Sequence, residues 1–322
     1  MILSIAANVS STFIFFLVSS SIVFPHCDSF KEKFRQAVAE TEAVVYSYLP
    51  EETGHQKTIF EAMNYSVKAG GKRLRPLLMR EVYRLFGGNG PEIGPFMAAM
   101  EMIHTSSLIH DDLPCMDNDE YRRGKLTTWK AYGYDMAVLA GDALMIYAFE
   151  VASKAFTMGA DPAKVGRAIG ILAEKTGIYG MIGGQTVDVE LTGKAVPREK
   201  LDFIYRLKTG ALLEASMMIG AVLAGASDEE IREVETMASE VGLAFQIQDD
   251  ILDVTSTQEE LGKPVLSDEK NQKTTYVTLE GLEKAKQDVK EISDRAAGRL
   301  AGLPGKNEFL YDIIEMLVNR KN

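Results

Sequence analysis

Helical periodicity runs through almost the whole chain from Asp28 to Asn322 and constrains the fold more than any other feature of the 322-residue sequence. Between Ile231 and Phe245, apolar residues recur at steps of three and four, which is typical of an amphipathic helix. Ser227 and Glu230 form the pattern of a capping box at the start of that helix. No segment shows the strict alternation that is typical of strands. The sequence therefore predicts an all-α protein.

The order of helices and breaks predicts a single bundle of antiparallel helices. The segments Phe96 to Ile103 and Ala137 to Ala148 are apolar on nearly every side, so both should be central. Pro197 opens a further helical segment, and Leu303-Pro304-Gly305 separates two helices near the C-terminus. No linker, low-complexity tract or repeat divides residues 28–322, which we expect to form one domain.

Residues 1–27 carry no charged side chain and need a separate interpretation. Their length would suit a membrane anchor, but Asn8 and several serines interrupt the apolar run. A secretion signal would normally begin with basic residues, which are missing. We expect a disordered or artefactual extension, and the anchor and the secretion signal remain open as alternatives.

Composition excludes several classes of protein. The chain has 35 basic and 46 acidic residues, a net charge of −11, which argues against a general nucleic-acid binder because phosphate contacts need an excess of cations. Two cysteines, Cys27 and Cys115, exclude a disulfide framework and fit a reducing compartment. We therefore expect a cytoplasmic protein with no nucleic-acid partner and no firm membrane partner.

Two aspartate clusters point to metal chemistry. The first comprises Asp111, Asp112 and Asp117, and the second comprises Asp249, Asp250 and Asp253. On a helix, Asp249 and Asp253 lie on one face about 6 Å apart, where their repulsion favours cations between them. Pro114 should bend or end the preceding helix and bring Asp117 back toward Asp111. Either cluster alone would also fit a solvated helix end, but both follow apolar helices, so hard oxygen ligands for Mg²⁺ are the favoured interpretation.

Basic residues supply the complementary charge. Gly70-Gly71 is followed by Lys72, Arg73 and Arg75, and further cations stand at Arg122, Arg123, Lys208 and Lys263. Guanidinium groups suit phosphate oxygens. Carboxylates and cations together imply a bridged anion, and a diphosphate meets both demands because Mg²⁺ links it to Asp while Arg and Lys neutralise the rest.

These motifs resemble, in order and spacing, those of the all-trans polyprenyl diphosphate synthases, the family of farnesyl and geranylgeranyl diphosphate synthases. The matching segments are GGKRLRP at 70–76, HDDLPCMD at 110–117, GGQTVD at 183–188, KTGAL at 208–212, FQIQDDILD at 245–253 and GKP at 262–264. The resemblance implies an all-helical fold around a deep central cavity, usually in a homodimer. It also implies that the two aspartate clusters face each other across the mouth of that cavity.

The resemblance implies a role for individual residues. Catalytic residues would be Asp111, Asp112, Asp117, Asp249, Asp250 and Lys208, with several Mg²⁺ ions, or Mn²⁺ as a substitute, held by Asp111, Asp117, Asp249 and Asp253. Isopentenyl diphosphate would be bound by Lys72, Arg75, His104 and Arg123. The allylic diphosphate would be bound by Arg122, Lys208, Thr209, Gln246 and Lys263.

The function implied is condensation of isopentenyl diphosphate with C5, C10 or C15 allylic diphosphates. Ser106 and Ser107 would lie beneath the growing chain, and their small size leaves room for C15 to C20 products, with C20 favoured. Alternatively, both serines only bond to the preceding helical turn. A non-catalytic regulatory subunit, a class I terpene cyclase and a metal-binding structural bundle are the alternative functions, although the second aspartate cluster argues against the cyclase.

Overall fold

The computed structural model describes residues 27–256 and 274–319, and these residues are almost entirely helical. The α-helices are α1 (Cys27–Ser47), α2 (Lys57–Val67), α3 (Leu74–Leu85), α4 (Ile93–Asp111), α5 (Thr128–Tyr132), α6 (Tyr134–Ser153), α7 (Pro162–Thr176), α8 (Met181–Leu191), α9 (Arg198–Ile204), α10 (Ala211–Ala224), α11 (Asp228–Thr255), α12 (Tyr276–Glu280), α13 (Leu282–Gly302) and α14 (Glu308–Asn319). A 3₁₀-helix (Lys154–Thr157), a π-helix (Tyr205–Gly210) and a hairpin of β1 (Tyr121–Arg122) and β2 (Lys125–Leu126) complete the described chain.

Local sequence signals place several helix ends correctly. The Ser227 hydroxyl accepts a hydrogen bond from the Glu230 N–H at 3.3 Å, and the Glu230 carboxylate accepts one from the Ser227 N–H at 2.6 Å. This confirms the predicted capping box at the start of α11. Pro197 is the N-cap of α9, and the segment 303–307 separates α13 from α14 as predicted.

The helix α4 lies at the centre of the bundle, where it packs against α1, α3 and α6. Every residue from Phe96 to Ile103 is buried, which confirms the prediction for that segment. The prediction for Ala137 to Ala148 is wrong on one face of α6. Leu139 is 54% exposed and Ile146 is 72% exposed, although Ala140, Gly141 and Leu144 between them are buried. Apolar composition predicted burial, but α6 is covered on one side only.

The hairpin and the π-helix were not predicted from the sequence. Each strand has two residues, too few to show an alternating pattern. The turn between them places Arg123 and Gly124 at positive φ, 53° and 76°, as two-residue hairpin turns with a matching twist require. The hairpin therefore holds Arg123 in a conformation that most side chains avoid.

The contact between α3 and α10 depends on Gly220. A Cβ atom at this position would lie 2.4 Å from the carbonyl oxygen of Met79. We expect Gly220→Ala to lower the free energy of unfolding by about 1–3 kcal/mol, because two helix backbones would have to separate. Chemical denaturation measures the change.

Gly298 in α13 is the matched control, since a Cβ there would meet nothing within 4 Å. Gly298→Ala should raise stability by about 0.5–1 kcal/mol through the higher helix propensity of alanine. An equal response of the two variants would show that the contact at Gly220 has no effect on stability.

Candidate active site

A cavity of about 690 Å³ lies inside the bundle, bordered mainly by α4, α6, α8 and the π-helix. Its apolar walls include Leu108, Met116, Met145, Met181, Ile182, Val189 and Leu212. Its polar lining includes Arg75, His104, Asp111, Gln185, Lys208 and Thr209. The cavity can therefore hold an apolar chain beside a charged head group.

The first aspartate cluster lies where α4 ends. Helix α4 stops at Asp111, and the chain bends so that the Asp117 N–H donates to the Asp111 carbonyl oxygen at 2.9 Å. This is the bend predicted from Pro114. The Gln185 side chain on α8 donates to the Asp111 carboxylate at 2.7 Å. Asp111 is thus oriented toward the cavity by a residue from another helix.

Electrostatics at Asp111 favour a cation. Burial raises the pKa of Asp111, and repulsion from Asp117 and Asp112 raises it further, while Lys208 acts in the opposite direction. A raised pKa means that the charged form is destabilised by its surroundings. A positive ion beside the carboxylate would reverse this destabilisation.

Asp112 and Arg122 form a pair with each other. The guanidinium of Arg122 donates to both carboxylate oxygens of Asp112, through Nε at 2.8 and 2.9 Å and through Nη2 at 2.5 Å. Asp112 is only 3% exposed, and neither residue lines the main cavity. The structure therefore places Arg122 against the first cluster, where it and Lys208 both act on the Asp111 carboxylate.

A second pocket, of about 400 Å³, contains all four residues predicted to bind isopentenyl diphosphate: Lys72, Arg75, His104 and Arg123. Arg75 and His104 also line the main cavity, so the two spaces adjoin. Among the described residues, neither Arg75 nor Arg123 forms a salt bridge, and the buried Arg75 Nε has no hydrogen-bond partner. Such a group of cations is suited to an anion from outside.

The pKa values in this pocket are lowered by burial and by crowding of like charges. Burial lowers the pKa of Arg75 to about 10; Glu101 opposes this change, and Arg123 contributes to it. Burial and then Arg75 and Arg123 hold the pKa of His104 well below its ordinary value of 6.5. His104 is therefore a neutral hydrogen-bonding group at pH 7, while the arginines carry the positive charge.

Arg73 also lines this pocket, but its guanidinium is bonded to groups of the protein. Its side chain is fully buried and donates to Glu101 at 2.7 Å, to Glu42 at 3.0 Å and to the Val67 carbonyl at 2.7 Å. Glu101 is the carboxylate that lines the pocket. Because Arg73 neutralises Glu101, the positive charges of Arg75 and Arg123 stay available to an anion.

The π-helix connects the first cluster with α11. Burial acts to lower the pKa of Lys208, but the ion pair with Asp188 at 2.6 Å raises it, and the nearby Asp111 and Asp117 raise it further. The Thr209 hydroxyl donates to Gln246 at 3.0 Å. Lys208 and Thr209 line the main cavity and also a smaller pocket of about 140 Å³ that contains Gln246 and Asp250.

The second aspartate cluster lies on α11, as predicted. Asp253 is buried and Asp249 is partly exposed. Asp250 is 3% exposed and accepts hydrogen bonds from the Tyr205 hydroxyl at 2.5 Å and from the Tyr276 N–H at 2.8 Å. Lys263 lies outside the described residues.

Two residues of the site were missed by the sequence reasoning. Gln185 contacts Asp111 and Asp188 pairs with Lys208, and both lie on α8. The GGQTVD segment at 183–188 contains both residues, but the motif alone does not indicate which side chains they contact.

The two serines before the first cluster have different positions. Ser107 lines the main cavity, and its hydroxyl donates to the His104 carbonyl at 2.8 Å. Ser106 is fully buried, does not line the cavity, and its hydroxyl has no hydrogen-bond partner within the described part of the chain. Bonding to the preceding turn therefore holds for Ser107 only.

Comparison with known proteins decides the family. A sequence model of polyprenyl synthetases matches residues 56–313, which is most of the chain. The chain belongs to the polyprenyl synthetase family.

Two curated members of the polyprenyl synthetase family illustrate the similarity. The chain is 44% identical over 294 residues to a farnesyl diphosphate synthase of Geobacillus stearothermophilus, covering 91% of this chain and 97% of the relative. It is 48% identical over 249 residues to a chloroplastic geranylgeranyl pyrophosphate synthase of Capsicum annuum, and the match covers 77% of this chain and 67% of the relative. Members of this family are prenyltransferases, and so is this chain.

Solved structures of the family share the fold. The crystal structure of an FPP/GFPP synthase from Zymomonas mobilis superimposes with a TM-score of 0.80 at 34% identity, covering 90% of this chain and 99% of the other. The crystal structure of a geranyltransferase from Legionella pneumophila superimposes with a TM-score of 0.80 at 30% identity, covering 91% of this chain and 97% of the other. The predicted all-α fold of this family is confirmed.

The neutral imidazole of His104 leads to a prediction for the basic pocket, which is the pocket that contains Lys72, Arg75, His104 and Arg123. Because the imidazole is neutral, His104→Gln should change the affinity for inorganic diphosphate by about threefold or less. Arg75→Gln removes a positive charge and should weaken binding by about 10-fold or more. Titration calorimetry at pH 7 measures both. Equal losses in the two variants would show that the imidazole binds in its charged form.

Proposed function

We propose that this prenyltransferase is a short-chain all-trans prenyl diphosphate synthase, which condenses isopentenyl diphosphate with C5, C10 or C15 allylic diphosphates. The observation that carries the proposal is the arrangement of two charged regions around one apolar cavity. Arg75 and His104 open onto the cavity from the basic pocket, while Asp111, Lys208 and Thr209 line it beside the smaller pocket. Two diphosphates can thus be held apart while their hydrocarbon portions meet.

Magnesium fits the residues present at the allylic site. Asp111 and Asp117 would hold it from the first cluster, and Asp249 and Asp253 from the second. These donors are all carboxylate oxygens, which suit Mg²⁺ because it is bound by one or two protein carboxylates together with water and substrate phosphates. When bound, Mg²⁺ supplies Lewis-acid stabilisation of the departing diphosphate.

The chain's own residues would supply the remaining parts of catalysis. Lys208 and Thr209 orient the allylic diphosphate, and the Lys208 charge stabilises it as the allylic C–O bond ionises. Arg75 and Arg123 hold isopentenyl diphosphate so that its double bond can attack the allylic cation. Loss of a proton to the released diphosphate then completes the new double bond. The apolar walls exclude water, which would otherwise destroy the cation.

Products of C15 to C20 are proposed, with C20 favoured. The support is the small Ser107 in the cavity lining, to which α4 contributes no phenylalanine, tyrosine or tryptophan within the described chain. Relatives carry both names, farnesyl diphosphate synthase and geranylgeranyl pyrophosphate synthase. Product length therefore has to be measured.

The test is a prenyl-transfer assay with Mg²⁺, labelled isopentenyl diphosphate and each allylic partner, with product length determined by chromatography. Wild type should elongate to C15 or C20. Asp111→Ala and Asp249→Ala should each lose at least about 100-fold in turnover, because stabilisation of the leaving group is the largest contribution to catalysis. Their helical circular dichroism should be unchanged.

The outcomes separate the alternatives. No elongation by wild type would favour a regulatory subunit, and a cyclic hydrocarbon product would favour a cyclase. Near-normal turnover in either Asp variant would contradict the assigned metal ligands. Asp142→Ala is a useful control, since Asp142 lines the same cavity but belongs to neither cluster.

A homodimer is proposed on the basis of the apolar face of α6. The segment Tyr134–Thr157 is long and apolar enough to cross a membrane, yet only 39% of its most apolar stretch is buried in the protein. The corresponding stretch of Arg198–Ala224 is 78% buried, as expected for a core segment. Ile182 and Val189 of α8 are also exposed, and they line the cavity that α6 borders as well. A second copy over this face would cover apolar surface and close a cavity that must be dry.

The oligomeric state can be tested by light scattering after size exclusion. Wild type should have twice the chain mass of 35.5 kDa, and Leu139→Glu/Ile146→Glu should shift it to the monomer mass, because a charge at an apolar interface is strongly destabilising. Tyr311→Glu, at an exposed site on α14, is the control and should remain dimeric. A wild-type monomer would contradict the proposal.

We also propose that residues 28–322 form one catalytic domain in the cytoplasm. A free, exposed Cys115 is consistent with a reducing compartment. Residues 1–26 lie outside the described residues, so the interpretations of the N-terminal extension stay predictions.

A further inference from the structure

Two hydrogen bonds join the π-helix to α11 at matching intervals. The Tyr205 hydroxyl donates to the Asp250 carboxylate at 2.5 Å, and the Thr209 hydroxyl donates to the Gln246 side chain at 3.0 Å. The partners are four residues apart on both elements. The π-helix is therefore fixed to α11 at its first turn and again near its end.

The contact at Tyr205 is buried and joins three elements. Tyr205 is 7% exposed and Asp250 is 3% exposed. The same carboxylate oxygen of Asp250 accepts the N–H of Tyr276 at 2.8 Å, at the start of α12. A hydrogen bond to a buried carboxylate is about twice as strong as one between neutral groups. Tyr205 thus holds the π-helix, α11 and α12 at one point.

The π-helix needs such an external contact. Its i to i+5 turns are wider and rarer than α-helical turns, and they occur often at functional sites. Lys208 and Thr209 lie in this segment, one turn beyond Tyr205, and both line the main cavity. Asp249 and Asp253 flank Asp250 on α11. The contact between Tyr205 and Asp250 therefore contributes, with the one between Thr209 and Gln246, to the position of Lys208 relative to these carboxylates.

We infer that Tyr205 is a positioning residue of the allylic site, which acts through Asp250 to fix the distance between Lys208 and the carboxylates of α11. The inference rests on the proposed function. Tyr205 lies in the smaller pocket and does not line the main cavity. Its effect should therefore be confined to the allylic diphosphate and its metal, and isopentenyl diphosphate, held on the other side of the cavity, should be unaffected.

The test is steady-state kinetics of the full-length Tyr205→Phe enzyme. The KM for the allylic diphosphate and the half-saturating Mg²⁺ concentration should each rise about tenfold, as for a lost hydrogen bond to a charged group. The KM for isopentenyl diphosphate should stay within about twofold. A purely structural defect would lower the fraction of active enzyme without this selectivity. An unchanged allylic KM, or an equal rise for both substrates, would overturn the inference.

Tyr276→Phe is the matched control. Its hydroxyl bonds Arg198 and Asp288, while its contact with Asp250 uses the backbone N–H. Loss of this buried tyrosine's hydroxyl should leave the allylic KM within about twofold of wild type. A rise as large as that of Tyr205→Phe would show that the effect is not specific to Asp250.

A double variant tests the route of the effect. If Tyr205 acts through Asp250, then Tyr205→Phe should add about twofold or less to the defect of Asp250→Asn. Additive defects would contradict that route. Should wild type form no prenyl product, the proposed function fails first. The inference is then tested by binding of inorganic diphosphate. Tyr205→Phe should weaken binding about tenfold in the presence of Mg²⁺ and leave binding without Mg²⁺ unchanged, and any other result would overturn the inference.

Discussion

Crowding of like charge in the basic pocket is the constraint on which the rest of the site depends. Arg75 and Arg123 lie together beside the neutral His104, and the carboxylate that lines the same pocket, Glu101, is already neutralised by Arg73. Such crowding destabilises the chain without an anion and favours binding of one. The local backbone is adapted to this arrangement, since Arg73 and Arg123 both have positive φ, 47° and 53°. Strained backbone of this kind is kept where it serves a site. At the neighbouring Gly71, a Cβ would lie 2.7 Å from the Arg123 guanidinium.

The apolar cavity separates this cationic region from the carboxylates. Asp111 reaches the cavity from α4, Gln185 orients it from α8, and Lys208 approaches from the π-helix. Each residue comes from a different helix, so the site exists only when the helices pack correctly. The interior contact between α3 and α10, close enough to need Gly220, contributes to that packing at a distance from the chemistry. Packing and reactivity are connected through the same few helices.

The sequence predicted what depends on local pattern. The capping box at Ser227, the bend at Pro114 and the burial of the segment 96–103 follow from residue type and spacing, and all are present. Features that depend on tertiary contact were not predictable. The orientation of Arg73 depends on carboxylates from α1 and α4, and the π-helix depends on contacts to α11. The exposed face of α6 could not be distinguished from a buried one, because apolar composition does not say what covers it.

In both aspartate clusters, adjacent aspartates have different surroundings, which their spacing in the sequence does not show. In each, two adjacent aspartates differ in burial: Asp111 and Asp249 are partly exposed, while Asp112 and Asp250 are each 3% exposed. The buried aspartate of each pair accepts hydrogen bonds from the protein. Asp112 accepts them from the Arg122 guanidinium, and Asp250 accepts one from the Tyr205 hydroxyl. A carboxylate used in this way fixes the turn on which its neighbour lies. In each cluster, the buried aspartate would therefore fix the turn from which its partly exposed neighbour, Asp111 or Asp249, faces a cation.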